Sequence, residues 1–415
     1  MSPAILSLLA LLVVIALSLT TRINVGILAV ALAWPIAVFG AGWKADALVA
    51  VFPAGLFLTL VGVTLLFGLA QKNGTLDLLT RRAVQMCGGV TALLPIAFFV
   101  LACVVATVGP GAIAATALVA PLAMTTGARA SVPPFLMALM VANGGNAGNL
   151  SPFSAVGLIV KAQFEKAGLG AHDGAVFWAN FAAHVMVALG AYALFGGVAL
   201  WRSREAKPAM ETLPPFAGRH WLTVAVIGAW IVGVMVFRAN PGLSAFLAAA
   251  VLIVARAAED EVLVSAVPWA VIVMVCGVSV LIGVIEKTGG MELFTTLLSR
   301  ITTPSTANGM MAFVTGVISI YSSTSGVVYP AFLPAVPGLV EKLGGGDPLE
   351  IALSINVGAA IVDVSPLSTI GALCVAAIAD PMTARVVFRK MLLWGFAMTI
   401  VGALFCQFAI RFFAY

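Results

Sequence analysis

The chain has 415 residues, of which 62% are hydrophobic and only 9% are charged, and its formal net charge is +5. A soluble domain carries about 25% charged residues, so this composition excludes an ordinary soluble protein. Apolar runs of roughly 17–25 residues, the length that spans a bilayer, account for almost the whole chain. We therefore predict an all-α polytopic membrane protein.

The modest positive charge requires no nucleic-acid partner, because basic residues on cytoplasmic loops explain it. The five cysteines are scattered through apolar surroundings without a CxxC pair. This pattern favours packing over a disulfide framework or a metal site. The first apolar run lacks a charged segment before it, which indicates a retained span rather than a secretory signal.

In the first half, the uninterrupted apolar runs predict spans near 4–20, 24–42, 53–71 and 175–201. A polar loop follows the third of these runs. The next apolar stretch, 88–126, is interrupted at Gly109-Pro110-Gly111. This pattern predicts a re-entrant hairpin whose tip lies inside the membrane, with two ordinary spans and a tight turn as the alternative.

The apolar run 133–161 contains the sequence NGGNAGNLSPFS at positions 143–154. Three asparagines, three glycines, a proline and two serines cannot continue a lipid-facing helix cheaply. Each unpaired backbone group in hydrocarbon costs several kcal/mol, so such backbone survives only around a protein-lined cavity. A broken helix of this kind indicates a solute or ion site in a transporter.

Residues 202–220 form the longest polar stretch and predict a linker between two halves. Beyond it, uninterrupted apolar runs predict spans near 221–237, 241–256, 267–285 and 388–413. The stretch 303–340 is interrupted by polar residues at 322–326, and a broken span at 349–378 contains the interruption 356–369.

The second half repeats the first at an almost constant spacing. Six residues of the first half recur 215 positions later: Pro53, Gly62, Gly68, Lys72, Gly74 and the acidic Asp77 match Pro268, Gly277, Gly283, Lys287, Gly289 and the acidic Glu292. The sequence NLSPFSAVG at 149–157 matches DVSPLSTIG at 363–371, 214 positions later. Such coincidences at one spacing indicate an internal duplication.

Each half is predicted to have about five spans, one of them broken, plus a re-entrant hairpin. Because that number is odd, the second copy is inverted, and the halves 1–201 and 221–415 form two inverted repeats around the linker 202–220. Thirteen Lys and Arg residues then lie on the linker side and eight on the other. The positive-inside rule makes the linker cytoplasmic and places both termini outside. The predicted location is a bacterial-type inner membrane.

The four interruptions are expected to meet near the midplane. They contain no Lys or Arg, so an anion would be held by helix N-termini, hydroxyls, amides and co-bound cations. The predicted substrate-binding residues are Gly109, Pro110, Gly111, Asn146, Ser151, Ser323, Thr324, Ser325, Ser365 and Ser368. The predicted cation ligands are Asn143, Asn149, Ser154, Asn356, Asp363 and Thr369, since oxygens suit a hard cation such as Na⁺. The alternative is that these Asn and Ser residues only cap the broken helices.

Asp363 is the sole carboxylate in the four interruptions, and its repeat mate is the neutral Asn149. An ionisable group at that depth costs at least a few kcal/mol, which favours a functional role. It could bind a cation or a coupling proton. Asn180 and His184 share a helix face; His184 could relay protons, but a histidine satisfied between helices is the favoured interpretation.

Three stretches resemble MatC-type malonate/dicarboxylate carriers, and the similarity extends over nearly the whole chain. They run from Phe52 to Thr75, from Asn143 to Ser154 and from Ser325 to Pro334. The predicted architecture is also similar to the divalent anion–sodium symporter fold of the ion transporter superfamily. That family carries Ser-Asn-Thr at both hairpin tips, whereas this chain has Gly109-Pro110-Gly111 and Ser323-Thr324-Ser325, so the architecture transfers better than the ligand set.

The resemblance implies a homodimeric secondary transporter that imports malonate or a similar small dicarboxylate by Na⁺ symport, with elevator-type movement of the hairpin-bearing domain. The alternatives are a Na⁺/H⁺ antiporter or an H⁺-coupled organic anion carrier of the same superfamily. No nucleotide-binding motif is visible in the sequence. An intramembrane enzyme is disfavoured, because it would need a catalytic group such as HExxH or paired aspartates. A channel is disfavoured as well, because paired polar breaks at matching positions favour alternating access over one continuous pore.

Overall fold

The computed structural model describes residues 2–20, 23–85, 90–109, 111–201, 213–237, 239–257, 267–321 and 323–414. Throughout these residues the secondary structure is helical, without strands. The predicted all-α class is confirmed.

The helices of the first half are α1 (Pro3–Thr20), α2 (Val25–Pro35), α3 (Ala45–Val49), α4 (Ala54–Lys72), α5 (Thr75–Gln85), α6 (Leu93–Val108), α7 (Gly111–Arg129), α8 (Pro134–Gly148), α9 (Ala155–Lys166), α10 (Asp173–Leu194) and α11 (Gly197–Leu200). A π-helical turn, Ile36–Gly40, extends α2.

The helices of the second half are α12 (Gly218–Val236), α13 (Pro241–Val254), α14 (Trp269–Lys287), α15 (Gly290–Arg300), α16 (Ala307–Tyr321), α17 (Tyr329–Phe332), α18 (Val336–Leu343), α19 (Pro348–Ile361), α20 (Thr369–Ala376), α21 (Pro381–Ala409) and α22 (Arg411–Ala414). A π-helical turn, Thr324–Val328, precedes α17, and a 3₁₀ turn, Leu333–Ala335, follows it.

Four of the described helices, α4, α7, α10 and α21, are long and apolar enough to cross a bilayer alone, and the pair α14 and α15, bent by 91°, would form a fifth span. Seven shorter apolar helices of 10–17 residues accompany them. The chain is a multi-pass membrane protein, and the buried apolar residues of its described helices form two clusters.

Helix boundaries repeat with the spacing found in the sequence. α1 and α12, α4 and α14, and α5 and α15 each begin 215 positions apart, while α8 and α19 begin 214 positions apart. Pro134 and Pro348 occupy the first position of their helices, where the missing N–H of proline costs nothing. The repeated residues therefore build the same elements twice.

The two copies also make reciprocal close contacts. A Cβ added at Gly62 on α4 would lie 2.4 Å from the carbonyl oxygen of Gly242 on α13. In the other copy, a Cβ at Gly277 on α14 would lie 2.2 Å from the carbonyl oxygen of Gly26 on α2. Reciprocal pairs are what a two-fold relation produces. They are consistent with the duplication; the inversion of the repeats and the boundaries 1–201, 202–220 and 221–415 stay predictions.

The prediction of a polar loop after the third span is wrong, because the helix α5 lies there. Charged and apolar residues alternate there with helical spacing, and Asp77 pairs with Arg81 one turn later at 3.0 Å. Its repeat mate, α15, turns away from α14 by 91°. A short amphipathic helix therefore follows the long apolar helix in each copy.

Candidate functional site

The first broken helix consists of α8 and α9, joined by Asn149–Ser154. Ser154 caps α9 by accepting the Gly157 N–H at 2.9 Å, and its hydroxyl donates to the Asn149 carbonyl. Gly157 is required, because an added Cβ would lie only 1.8 Å from the Ser151 carbonyl oxygen. The local sequence therefore ends one helix and starts the next within a compact, self-bonded turn.

The second broken helix, α19 and α20, has the same turn between Ile361 and Thr369. The Ser368 hydroxyl donates to the Asp363 carbonyl at 2.6 Å, as Ser154 does to Asn149. A Cβ at Gly371 would lie 2.1 Å from the Ser365 carbonyl oxygen. The repeated sequence motif thus folds into one backbone geometry in both copies.

The first hairpin, α6 and α7, brings its tip to the first break. The Asn149 Oδ1 accepts the Ala112 N–H at 2.8 Å, and the Ser151 hydroxyl donates to the Thr107 carbonyl at 2.6 Å. The Ala155 N–H donates to the Gly109 carbonyl at 3.1 Å. Three hydrogen bonds, two involving a side chain and one between backbone groups, therefore bind the tip to the broken helix.

The second hairpin runs from α16 through the turn Thr324–Val328 and brings its tip to the second break. The Thr324 hydroxyl donates to Asp363 Oδ1 at 2.7 Å. Since a hydroxyl has one proton, the hydrogen bond between Ser319 and Thr324 has Ser319 as its donor. Asp363, which is only 7% exposed, is held by this short chain of hydroxyls.

Close helix packing holds each break against its own hairpin. A Cβ at Gly144 would lie 2.2 Å from the Phe99 carbonyl oxygen on α6. The equivalent Cβ at Gly358 would lie 2.4 Å from Ala312 Cα on α16. Because both glycines permit backbone-to-backbone approach, each broken helix and its hairpin form one packed unit.

A cavity of about 250 Å³ lies between the two breaks and the second hairpin tip. Its lining residues are Ile113, Asn149, Val156, Met274, Ser323, Thr324, Ser325, Asp363, Leu367, Ser368, Thr369 and Ile370. Since a water molecule occupies about 30 Å³ of the liquid, the cavity has room for a small solute. Asp363 is the one charged residue of this lining.

The cavity contains part of each predicted ligand set. Four predicted substrate-binding residues line it: Ser323, Thr324, Ser325 and Ser368. Three predicted cation ligands also line it: Asn149, Asp363 and Thr369.

The other predicted residues lie off the lining. Gly109, Gly111, Ser151, Ser154 and Ser365 form the tip or the turns behind it, and Pro110 lies outside the described residues. Asn143, Asn146 and Asn356 are fully buried within α8 and α19. The amide oxygens of these three asparagines have no hydrogen-bond partner among the described residues.

Helix α10 is hydrogen-bonded to the backbone of one of these buried asparagines, Asn146. The Asn180 amide donates to the Asn146 carbonyl at 2.7 Å, and His184 Nδ1 lies 2.8 Å from the Asn180 carbonyl. His184 is completely buried, and its Nε2 lies 3.4 Å from the Ala360 carbonyl oxygen. A neutral imidazole has one N–H and therefore donates to only one of these two carbonyl oxygens. The His184 side chain lies between α10 and α19, and its role stays a prediction.

Sequence reasoning missed the apolar part of the cavity. These residues are Ile113, Val156, Met274, Leu367 and Ile370. Ile113, Val156 and Ile370 follow the tip or a break in sequence, and Leu367 lies within the second break. Met274, however, comes from α14, a helix without any polar interruption. In a chain this apolar, no local signal distinguishes such a residue from its neighbours.

The oxygen donors of the cavity fit a hard cation. The Asp363 carboxylate and the Thr369 hydroxyl, both predicted cation ligands, are of the type that Na⁺ accepts. Within the described part of the chain, no group of three or more His, Cys, Asp and Glu residues could hold a metal ion. A cation here would therefore be bound by one carboxylate and neutral oxygens.

The first 149 residues match the family model of the dicarboxylate carrier protein MatC N-terminus. No curated protein matches the chain significantly. The predicted resemblance to MatC-type carriers is confirmed for this N-terminal segment.

Two solved transporters have a similar fold. The YdaH transporter of Alcanivorax borkumensis has a TM-score of 0.61 at 14% identity, covering 99% of this chain and 98% of its own. MtrF of Neisseria gonorrhoeae, described within a class of antimetabolite efflux pumps, has a TM-score of 0.55 at 13% identity, covering 87% of this chain and 80% of its own. The family match of residues 1–149 and the shared fold indicate a membrane transporter rather than an enzyme.

Proposed function

We propose that this protein is a secondary active transporter that imports malonate or a similar small dicarboxylate by cation symport, with Na⁺ as the coupling ion. The observation that carries the proposal is the cavity between the two breaks, whose lining combines one carboxylate with several hydroxyls and no Lys or Arg. The match of residues 1–149 to dicarboxylate carriers supports the choice of solute.

Electrostatics supplies the reason for coupling. Asp363 would repel a dianion in a cavity that offers no basic side chain. A cation bound by Asp363 cancels that charge, so the dicarboxylate binds well only when the cation is present. The solute carboxylates would accept hydrogen bonds from Ser323, Ser325 and the Asn149 amide.

The packed units of hairpin and broken helix support an elevator-type movement as the means of alternating access. Each unit is joined internally by hydrogen bonds and glycine contacts, so it can move as one body against the remaining helices. A homodimer in a bacterial-type inner membrane, with both termini outside, completes the proposal.

The test is uptake of radiolabelled malonate into proteoliposomes that contain the purified protein. We expect uptake driven by an inward Na⁺ gradient, and little uptake when choline replaces Na⁺. If malonate is transported neither inward nor outward and Na⁺ drives proton movement instead, the proposal is overturned in favour of an antiporter.

A second candidate is an H⁺-coupled organic anion carrier, because Asp363 is a titratable group. In that case an inward proton gradient would drive malonate uptake without Na⁺. Because the fold is shared with MtrF, the assay also measures efflux from preloaded vesicles.

A further inference from the structure

The cavity has two chemically different walls. We call its polar lining residues the polar wall and its apolar lining residues the apolar wall. The polar wall consists of Asn149, Ser323, Thr324, Ser325, Asp363, Ser368 and Thr369. The apolar wall consists of Ile113, Val156, Met274, Leu367 and Ile370. A dicarboxylate likewise has polar ends and an apolar carbon linker. The apolar wall is therefore where the length of that linker would be sensed.

Met274 is the one described lining residue that belongs neither to a hairpin nor to a broken helix. It lies on α14, whose backbone is packed directly on α2: a Cβ at Gly26 would lie 2.2 Å from the Val273 carbonyl oxygen and 2.5 Å from Met274 Cα. The position of Met274 is thus set by a helix pair outside the two hairpin units.

The Met274 side chain also contacts the second hairpin tip. A Cβ added at Gly326 would lie 2.5 Å from Met274 Cε and 2.9 Å from its Sδ. Glycine at 326 therefore makes room for the methionine beside the hydroxyl donors Ser323 and Ser325. The thioether fills the space between tip and α14, directly beside the polar wall.

We propose that Met274 is the specificity-determining residue that limits the carbon-chain length of the transported diacid. This inference rests on the proposed dicarboxylate transport. A longer linker would have to occupy the volume that the thioether fills, while the carboxylates remain on the polar wall. In an apolar pocket, one methylene changes discrimination by about tenfold or more.

The experiment compares uptake of three-carbon malonate with five-carbon glutarate in proteoliposomes, as the ratio of Vmax/KM values. Met274→Ala should raise the glutarate-to-malonate ratio by about tenfold. Met274→Leu, which conserves volume, should leave the ratio unchanged. Met274→Phe should lower the ratio. The smaller Ala and the larger Phe should therefore shift the ratio in opposite directions.

The matched control is Met391→Ala on α21, a fully buried methionine that does not line the cavity. It should lower stability without changing the ratio. An unchanged ratio in Met274→Ala, or equal shifts in the Ala and Phe variants, would overturn the inference. If purified Met274→Ala is not monodisperse, Met274→Val replaces it. The smaller Val should then raise the glutarate-to-malonate ratio and the larger Phe should lower it. Absence of uptake of either diacid by the unaltered protein would instead count against the proposed function.

Discussion

The two broken helices have the same backbone turn but different chemistry at one position. The Asn149 side-chain oxygen accepts a hydrogen bond from the backbone N–H of Ala112, whereas the Asp363 carboxyl accepts one from the Thr324 hydroxyl. In the first copy the side chain completes a structural contact with the hairpin. In the second, the corresponding contact holds the one carboxyl group of the cavity lining. The two copies thus share a backbone geometry, and only the second has an ionisable side chain at this position.

The cavity reflects that difference, because nine of its twelve lining residues come from the second half. On the first-half side, Leu158 and Ile159 of α9 pack in one apolar cluster with α4. Lys166, at the end of α9, pairs with Glu286 at the end of α14 at 3.0 Å. The first break thus contributes Asn149 to the cavity lining, whereas the second break contributes Asp363, Leu367 and Ser368.

The largest effect is expected from Asp363→Asn. Removing the one charge of the lining should abolish or uncouple transport, with Na⁺-driven uptake falling by about 100-fold or more. Proteoliposome uptake with and without Na⁺ is the measurement. Asp173→Asn, which breaks a half-exposed ion pair with Lys161, is the control and should change uptake less than about twofold. Unaltered uptake with unchanged ion dependence in Asp363→Asn would remove Asp363 from the mechanism.

Thr324→Val is expected to have the next largest effect. It deletes the hydroxyl that donates to Asp363, and a hydrogen bond to a charged group contributes about 1.5–3 kcal/mol. The Na⁺ concentration for half-maximal uptake should therefore change by about tenfold or more.

The control for Thr324→Val is Thr315→Val on α16, whose hydroxyl donates to the Met311 carbonyl of its own helix at 2.7 Å. It should leave the Na⁺ dependence unaltered. Equal effects of the two valine variants would show that the hairpin is only destabilised.

Gly144→Ala and Gly358→Ala test whether both copies need the same close packing. The added methyl overlaps backbone atoms of α6 or α16, so each variant should lose about 1–3 kcal/mol of stability. Thermal unfolding of the purified protein is the measurement. Gly190→Ala on α10, with nothing within 4 Å of the added Cβ, should be neutral or slightly stabilising. A large loss in only one of the two variants would contradict the equivalence of the copies.

The smallest effects are expected from the serines that close the two turns. Ser154→Ala should cost about 1 kcal/mol of stability, because Ser154 caps α9 and is fully buried. Ser368 makes no cap hydrogen bond but lines the cavity, so Ser368→Ala should raise the KM for malonate more than it lowers stability. A raised KM in Ser154→Ala together with a loss of stability in Ser368→Ala would contradict this assignment of the two serines.

Several features were predictable because they depend on local sequence. The spans follow from apolar runs, and the two breaks follow from Gly, Pro and Asn at positions where a lipid-facing helix cannot continue. The equivalence of Asn149 and Asp363 follows from a constant spacing. α5 was not predicted, because its charged residues resemble a loop until their spacing of four residues is considered.

Composition and periodicity along the chain were enough to predict the class of protein, the repeated halves and the one carboxylate of the four interruptions, Asp363. Which polar residues face a common space depends instead on how the helices pack. Asn143, Asn146 and Asn356 have the same chemistry as Asn149, but their helices bury them elsewhere. Met274 enters the cavity only because glycines on α2 and on the hairpin tip allow α14 to approach. Contacts of this kind depend on the shapes of distant surfaces, which no local pattern encodes.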